Sequence, residues 1–138
     1  MRILRTLGAV LLGFVVASLV MMVVESINGR VLYPEIGKAA EGLRDREAIR
    51  ALVASAPKAM LLVVLAGWAL GSFAGGWVAA QVARHEPLQA ALSLGLLLTG
   101  AGILNNWMIP PPLWFRIATW LVFLPCTWAG AVRVADRL

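Results

Sequence analysis

Apolar residues in this 138-residue chain gather into four long runs that polar segments separate. The runs cover roughly residues 3–24, 59–82, 88–104 and 113–134. Each is near the ~20 residues that an α-helix needs to cross the hydrocarbon core of a bilayer. The pattern therefore predicts an all-α integral membrane four-helix bundle that forms a single domain. Including the helix ends, we place the spans at about residues 3–27, 58–82, 88–106 and 112–134.

The connections between the runs predict how the spans are arranged. Residues 83–87 join spans two and three, and residues 105–112 join spans three and four, so both pairs should be antiparallel neighbours. The long connection contains a segment at about 38–54 with helical spacing of apolar residues, at Ile49, Leu52, Val53 and Ala56. We expect a short amphipathic helix between spans one and two that lies on the membrane or caps the bundle. A solvated connector of mixed charge is the simpler alternative.

Composition agrees with the membrane interpretation. Of all residues 61% are hydrophobic and only 14% are charged, whereas about a quarter are charged in a soluble domain. The formal net charge is +5, but the basic residues are dispersed around span ends and one loop. We therefore expect them to contact lipid headgroups and not nucleic acid.

The first apolar run also bears on topology. Its stretch from Leu7 to Val24 is longer than the apolar region of a usual signal peptide, so we expect it to remain as a membrane anchor. Arg2 and Arg5 flank it directly, and the basic residues of the long connection alternate with acidic ones. On that basis we expect cytoplasmic termini.

Small residues recur every four positions along the second run. Gly67, Gly71, Gly75 and Ala79 form one stripe there, and Gly13 belongs to a shorter match in the first run. Such stripes let helix backbones approach closely in lipid, where packing and not escape from water drives association. The stripe predicts a close helix contact. Packing within the monomer and a subunit interface, to a second copy or a different membrane protein, are both open.

Polar residues near the ends of the runs should converge on one side of the membrane. Alternating span directions place the end of span one, the start of span two, the end of span three and the start of span four together. The predicted polar cluster consists of Glu25, Asn28, Asn105, Asn106 and Arg116. Charged groups this close to hydrocarbon usually reach the headgroups, find a partner or mark a functional site.

Three interpretations of the polar cluster are open. Glu25 and Arg116 could reach the headgroup region independently. They could pair and join spans one and four, although a buried ion pair need not add net stability. The cluster could also line a water-filled vestibule in which Glu25 is the proton or cation site of a small channel or transporter.

Residues typical of enzyme sites are scarce. His85, the only histidine, lies in a short connection at the opposite end from Glu25, and the single cysteine, Cys126, lies within span four. We expect no catalytic residue, metal site or cofactor. The favoured function is non-enzymatic, an accessory or assembly subunit that packs through small-residue helix faces. The alternative is a small channel or transporter.

Three motifs carry a resemblance to known proteins. They are Glu25 followed by the pair Tyr33–Pro34, the block LGSFAGGWVAA at residues 70–80, and the turn IPPPLW at residues 109–114. In this order they resemble a group of small uncharacterised bacterial four-span membrane proteins. In that group the turn often has a histidine between prolines, where this chain has Pro111. The resemblance implies an inner-membrane four-helix protein and implies no activity.

Overall fold

A computed structural model describes residues 2–138, and helices account for nearly all of them. Their bounds are Arg2–Ile27 (α1), Pro34–Ala40 (α2), Arg46–Ser55 (α3), Lys58–Val82 (α4), Pro87–Met108 (α5) and Leu113–Ala135 (α6), with a π-helical turn at Asn28–Leu32. No strand occurs within the described residues. Four of the helices are long and apolar enough to cross a membrane. The predicted all-α four-helix bundle is confirmed.

Prolines set where four of the helices begin. Pro34 and Pro87 lie in the first turns of α2 and α5, and Pro57 and Pro112 immediately precede α4 and α6. The proline ring holds φ near the helical value, and its missing N–H has no partner to lose in a first turn. The chain therefore starts these helices at positions that the sequence specifies locally.

The first span is longer than the sequence pattern predicted. The π-helical turn continues α1, and its Tyr33 N–H donates to the Asn28 carbonyl at 2.8 Å, the five-residue spacing of a π-helix. Together they form one apolar rod from Arg2 to Leu32. Glu25 consequently lies about 10 Å along the axis from the end of the rod, at ~1.5 Å per residue. The carboxylate is deeper in the bundle than a helix end at residue 27 would place it.

The connection between α1 and α4 differs from the single segment predicted at about 38–54. Two short helices, α2 and α3, enclose a turn at residues 41–45 in which Gly42 has φ +93°, a conformation that glycine adopts without steric cost. The Asp45 side chain accepts from the Glu47 N–H at 3.2 Å and caps α3. The turn lets α2 and α3 change direction over the end of the bundle.

Helix α4 is the centre of the bundle. It packs against α1 on one side and α6 on another, while α5 packs against α6, α4 and, less extensively, α1. The buried core is rich in alanine, leucine and phenylalanine. Because α4 lies between α1 and α6, side chains of the first and last spans approach each other only past α4.

Glycines bring α4 close to both neighbours. A Cβ atom on Gly71 would lie 2.8 Å from the Ala17 carbonyl oxygen of α1, and one on Gly75 would lie 2.6 Å from the Gly13 carbonyl oxygen. On the side facing α6, a Cβ on Gly76 would overlap the Thr127 backbone. Ala79 is fully buried. Real Cβ atoms do not tolerate such distances, so these backbones are as close as only glycine permits.

Candidate functional site

Two adjoining cavities open at the end of the bundle that holds Glu25. The inner cavity, of about 380 Å³, lies beneath α2 and α3 and is bounded below by α1, α4 and α5. The outer groove, of about 540 Å³, follows α1 and α5 from Phe14 and Leu98 up to Arg30 and Glu41. Glu25, Trp68 and Asn105 line both. These side chains therefore form the boundary between the two spaces.

Asn28 supplies one polar wall of the inner cavity from the π-helical turn. Its side chain is 2% exposed, and its Nδ2 donates to the Met60 carbonyl of α4 at 3.0 Å. The Met60 oxygen can only accept, so the amide must point its nitrogen there and its oxygen elsewhere. Oδ1 has no partner among residues 2–138. The turn thus holds a buried hydrogen-bond acceptor without a partner at the edge of the cavity.

Asn106 lines the same cavity from the last turns of α5. Its side chain is 7% exposed, and neither Nδ2 nor Oδ1 finds a partner within the described chain. Buried polar groups are nearly always hydrogen-bonded, and leaving one unpaired costs about 1–3 kcal/mol. A donor and an acceptor are therefore buried without partners beside the cavity, at a cost to the stability of the bundle.

The Glu25 carboxylate is bonded to an aromatic side chain. Its Oε1 accepts from the Trp68 indole Nε1 at 3.0 Å, and Trp68 is itself 6% exposed. The indole packs edge-on against Phe115 at a centroid distance of 5.3 Å and stacks on Phe123 at 5.5 Å. Glu25 is exposed to the groove on its other side. The carboxylate is thereby fixed at one oxygen and accessible at the rest.

Of the three interpretations of the polar cluster, the pairing of Glu25 with Arg116 does not occur among the described residues. Within residues 2–138 the ion pair at 4.0 Å or less is His85 with Glu86, at the opposite end of the bundle. Trp68 occupies the space between α1 and α6, with its indole N–H toward Glu25 and its ring against Phe115, the neighbour of Arg116. Arg116 is partly exposed and lines neither cavity.

The structure thus brings together four members of the predicted polar cluster and leaves out the fifth. Glu25, Asn28, Asn105 and Asn106 all line the inner cavity. Asn105 is exposed at its rim, whereas Asn106 is buried within. The convergence came from the alternation of span directions. Arg116 is absent because α6 lines the inner cavity with its neighbour Phe115, and consecutive residues of a helix point in different directions.

Helix α3 covers the inner cavity with the apolar face that its sequence spacing indicated. The face consists of Ile49, Leu52, Val53 and Ala56, all of which line the cavity. Arg46, at the start of α3, donates from Nε to the Trp107 carbonyl of α5 at 3.0 Å. Its guanidinium also lies 5.2 Å from the centre of the Trp107 ring, a cation–π contact. These contacts fasten α3 across the end of the bundle.

Trp68 was not among the residues predicted for the polar cluster. The available signal was its place beside Gly67 in the small-residue stripe, in the middle of a span. An indole N–H buried in a bundle usually needs an acceptor, and Glu25 is the acidic residue within the first span. Val24 packs on Gly67, and because α1 and α4 are antiparallel, Glu25 and Trp68 lie one residue to either side of this contact, within reach of a side-chain hydrogen bond.

The opposite end of the bundle has a different character. His85 Nε2 lies 3.3 Å from the Thr6 hydroxyl, and the Arg5 Nε donates to the Val82 carbonyl at 2.8 Å. These contacts tie the start of α1 to the end of α4. Across residues 2–138, no three His, Cys, Asp or Glu side chains are close enough to hold a metal ion.

Comparison with protein-family models, with curated proteins and with solved structures found no match. The resemblance to the bacterial four-span group therefore stays a prediction from the three motifs.

Proposed function

We propose that this chain is a non-enzymatic integral membrane protein that takes up a small molecule in the inner cavity, as a carrier or transporter does. The observation that carries the proposal is Glu25, an exposed carboxylate that is held at one oxygen by Trp68 and lines both the inner cavity and the outer groove. A volume of about 380 Å³ falls in the ~300–1,000 Å³ range of small-molecule sites.

Glu25 is placed to control passage into this site. It lines both the inner cavity and the outer groove, so a molecule moving between them passes its carboxylate. Carboxylates inside membrane domains are costly and commonly serve as proton or cation sites. Of the three interpretations of the polar cluster, this geometry favours the vestibule, with Trp68 instead of Arg116 as the group that positions Glu25.

The accessory or assembly subunit is the other candidate function. It was expected to bind its partner through small-residue faces, but α1 lies against Gly67, Gly71 and Gly75 in the monomer. Gly8 and Gly100 are the glycines whose Cβ position meets nothing within 4 Å, apart from Gly42 in the turn. A homo-oligomer or a membrane-protein partner would have to use faces other than the stripe, within a shell of membrane lipids.

Localisation follows from the same proposal. A bacterial inner membrane with cytoplasmic termini would put the Glu25 end, with α2 and α3, on the outer side of that membrane. The molecule would then be taken from the bilayer or from the compartment outside it. Cysteine accessibility of an exposed position in α3, measured in intact cells with a membrane-impermeant reagent, tests this orientation.

Extraction in native lipid discs tests the proposed function. The wild-type chain and Glu25→Gln are released from their membranes without detergent, and the bound small molecules are compared by mass spectrometry. We expect one compound enriched with the wild type and depleted with the variant. Ser72→Ala, which removes a buried hydroxyl that lies outside both cavities, is the matched control. Identical extracts from all three proteins would contradict the proposal.

A further inference from the structure

We infer that α3 is a hinged lid over the inner cavity and that Arg46 is the latch that holds it closed. The inference rests on the proposed function and adds the route by which a molecule enters. Three observations carry it. Helix α3 is attached to the spans by few contacts, its neighbour α2 is fixed, and the segments at both ends of α3 are short and not helical.

Helix α3 contacts the rest of the protein mainly through its apolar side chains. Ile49, Leu52, Val53 and Ala56 line the inner cavity, and Val53 packs against the buried core. The backbone of α3 comes near α2 but hardly near the four spans, and none of residues 46–55 is fully buried. A segment with few buried contacts needs little free energy to open locally.

Arg46 supplies the polar contacts that the described residues show between α3 and the spans. Its Nε donates to the Trp107 carbonyl of α5 at 3.0 Å, and its guanidinium lies 5.2 Å from the centre of the Trp107 ring. Both residues are exposed. At an exposed site a cation–π contact changes an equilibrium by only about two- to fivefold. These contacts therefore hold α3 closed without preventing it from opening.

Helix α2, on the other side of the turn at residues 41–45, is fixed to the first span. A Cβ atom on Gly37 would overlap the Gly29 carbonyl of the π-helical turn, so the two backbones touch. The Gly37 N–H also donates to the Tyr33 carbonyl at 3.0 Å. Helix α2 therefore stays with α1 and is the fixed side from which α3 can rotate.

The segments at the two ends of α3 are suited to act as hinges. In the turn at residues 41–45, Gly42 has φ +93° and a Cβ there would meet nothing within 4 Å. Between α3 and α4, Ala56 and Pro57 have extended backbone with ψ of 142° and 141°. Hinges are usually a few such residues that absorb a change of φ and ψ. Rotation about both segments would lift the apolar face of α3 from the cavity.

Cysteine accessibility beneath α3 tests the lid. In a Cys126→Ala background, Leu61→Cys places a thiol at the wall of the inner cavity, where Leu61 is 9% exposed. Its rate of modification by a small methanethiosulfonate reagent in nanodiscs reports the fraction of open molecules. We expect Arg46→Gln to raise this rate by about two- to fivefold. Lys58→Gln is the control, because it removes the cation–π contact of Lys58 with Trp114, at 5.4 Å, from α4 and not from α3. It should leave the rate unchanged.

Spin labels give a second measurement that does not depend on a buried cysteine. In the same background, the exposed positions Ala51 in α3 and Leu104 in α5 are changed to cysteine and labelled, and a reference pair has Ala39 of α2 in place of Ala51. Pulsed electron paramagnetic resonance measures both distances. We expect Arg46→Gln to add longer distances between α3 and α5 and to leave the distance between α2 and α5 unchanged.

The outcomes keep this inference apart from the proposed function, because the lid measurements use no ligand. If Arg46→Gln changes neither the modification rate nor the distances, the lid is overturned, and different lipid-disc extracts from wild type and Glu25→Gln would still support a small-molecule site. Equal acceleration by Lys58→Gln, or an equal change between α2 and α5, would also overturn it. If α3 opens as expected but the extracts are identical, the lid is supported and the proposed function fails.

Discussion

The middle of the bundle and its Glu25 end both bury polar groups without hydrogen-bond partners, but the middle is closely packed and the Glu25 end contains a cavity. Ser72, one turn before Gly76 on α4, is fully buried where glycines bring the backbones of α4 and α6 together. Asn106 is nearly as buried, yet it lines a cavity of about 380 Å³. Close packing leaves no room for a ligand at Ser72. The cavity that Asn106 lines leaves room for a ligand at the Glu25 end.

The packed region and the candidate site are built from different kinds of residue. The packed region relies on residues without side chains, so α4 contacts α1 and α6 backbone to backbone. The candidate site is formed by the π-helical turn and by α2 and α3, which cover the inner cavity without filling it. Stability is concentrated in the first region, and the second accepts unpaired amides that lower it.

The largest predicted effect follows from removing the residue between the two regions. Trp68→Ala should lower the free energy of unfolding by about 3–5 kcal/mol, because it leaves a large cavity against Phe115 and Phe123 and frees Glu25. Trp68→Phe keeps most of the ring packing and should lose much less. The two variants are compared by thermal unfolding in nanodiscs. Equal losses of unfolding free energy in the two variants would show that packing of the aromatic ring does not stabilise this part of the bundle.

Adding one methyl group to the glycine-packed region should have the next largest effect. Gly76→Ala places a Cβ against the Thr127 backbone, and overpacking of this kind typically costs about 1–3 kcal/mol. The control is Gly100→Ala, whose Cβ meets nothing within 4 Å and should leave stability unchanged or raise it by up to ~1 kcal/mol. Equal unfolding temperatures for the two variants would contradict the close approach of α4 and α6.

An apolar side chain at Asn106 should stabilise the protein. Asn106→Leu replaces an amide without partners, and we expect a gain of about 1 kcal/mol in the absence of ligand, since unpaired buried groups cost ~1–3 kcal/mol. Asn28→Leu should be destabilising instead, because it removes the hydrogen bond to the Met60 carbonyl. Chemical or thermal unfolding of both variants measures the difference. A destabilised Asn106→Leu would mean that the amide has a structural partner.

The smallest effect is a coupling energy at the boundary. In a double-mutant cycle, Glu25→Ala and Trp68→Phe should couple by about 0.5–1.5 kcal/mol because the indole donates to this carboxylate. Glu25→Gln and Arg116→Gln should instead be additive within ~0.5 kcal/mol. Strong coupling in the second cycle would support an ion pair between Glu25 and Arg116. An absence of coupling in the first cycle would contradict the indole contact.

Local sequence signals determined most of the fold. Apolar run length predicted the four spans, and prolines marked the starts of four helices. The apolar spacing in α3 indicated which face turns toward the bundle. The continuation of α1 to Leu32 was missed because Asn28, Gly29 and Arg30 resemble a loop in composition. A π-helical turn has no simple periodic signature.

Sequence reasoning predicted only part of the candidate site. Span alternation fixes which helix ends share a membrane face, and it gathered Glu25 with the three asparagines. It does not say which helix lies between which others. It also does not say which face of α6 turns inward. Phe115 and not its neighbour Arg116 lines the inner cavity, so Trp68 is recognised as the partner of Glu25 only from the packed structure.

Cysteine accessibility tests the contrast between the two regions most directly. In a background of Cys126→Ala, a single cysteine is placed by Asn106→Cys or by Ser72→Cys, and each protein is treated in nanodiscs with a small methanethiosulfonate reagent. We predict that the cysteine at position 106 is modified and the one at position 72 is protected until the protein unfolds. Equal modification of both, or protection of both, would contradict an open polar cavity at the Glu25 end.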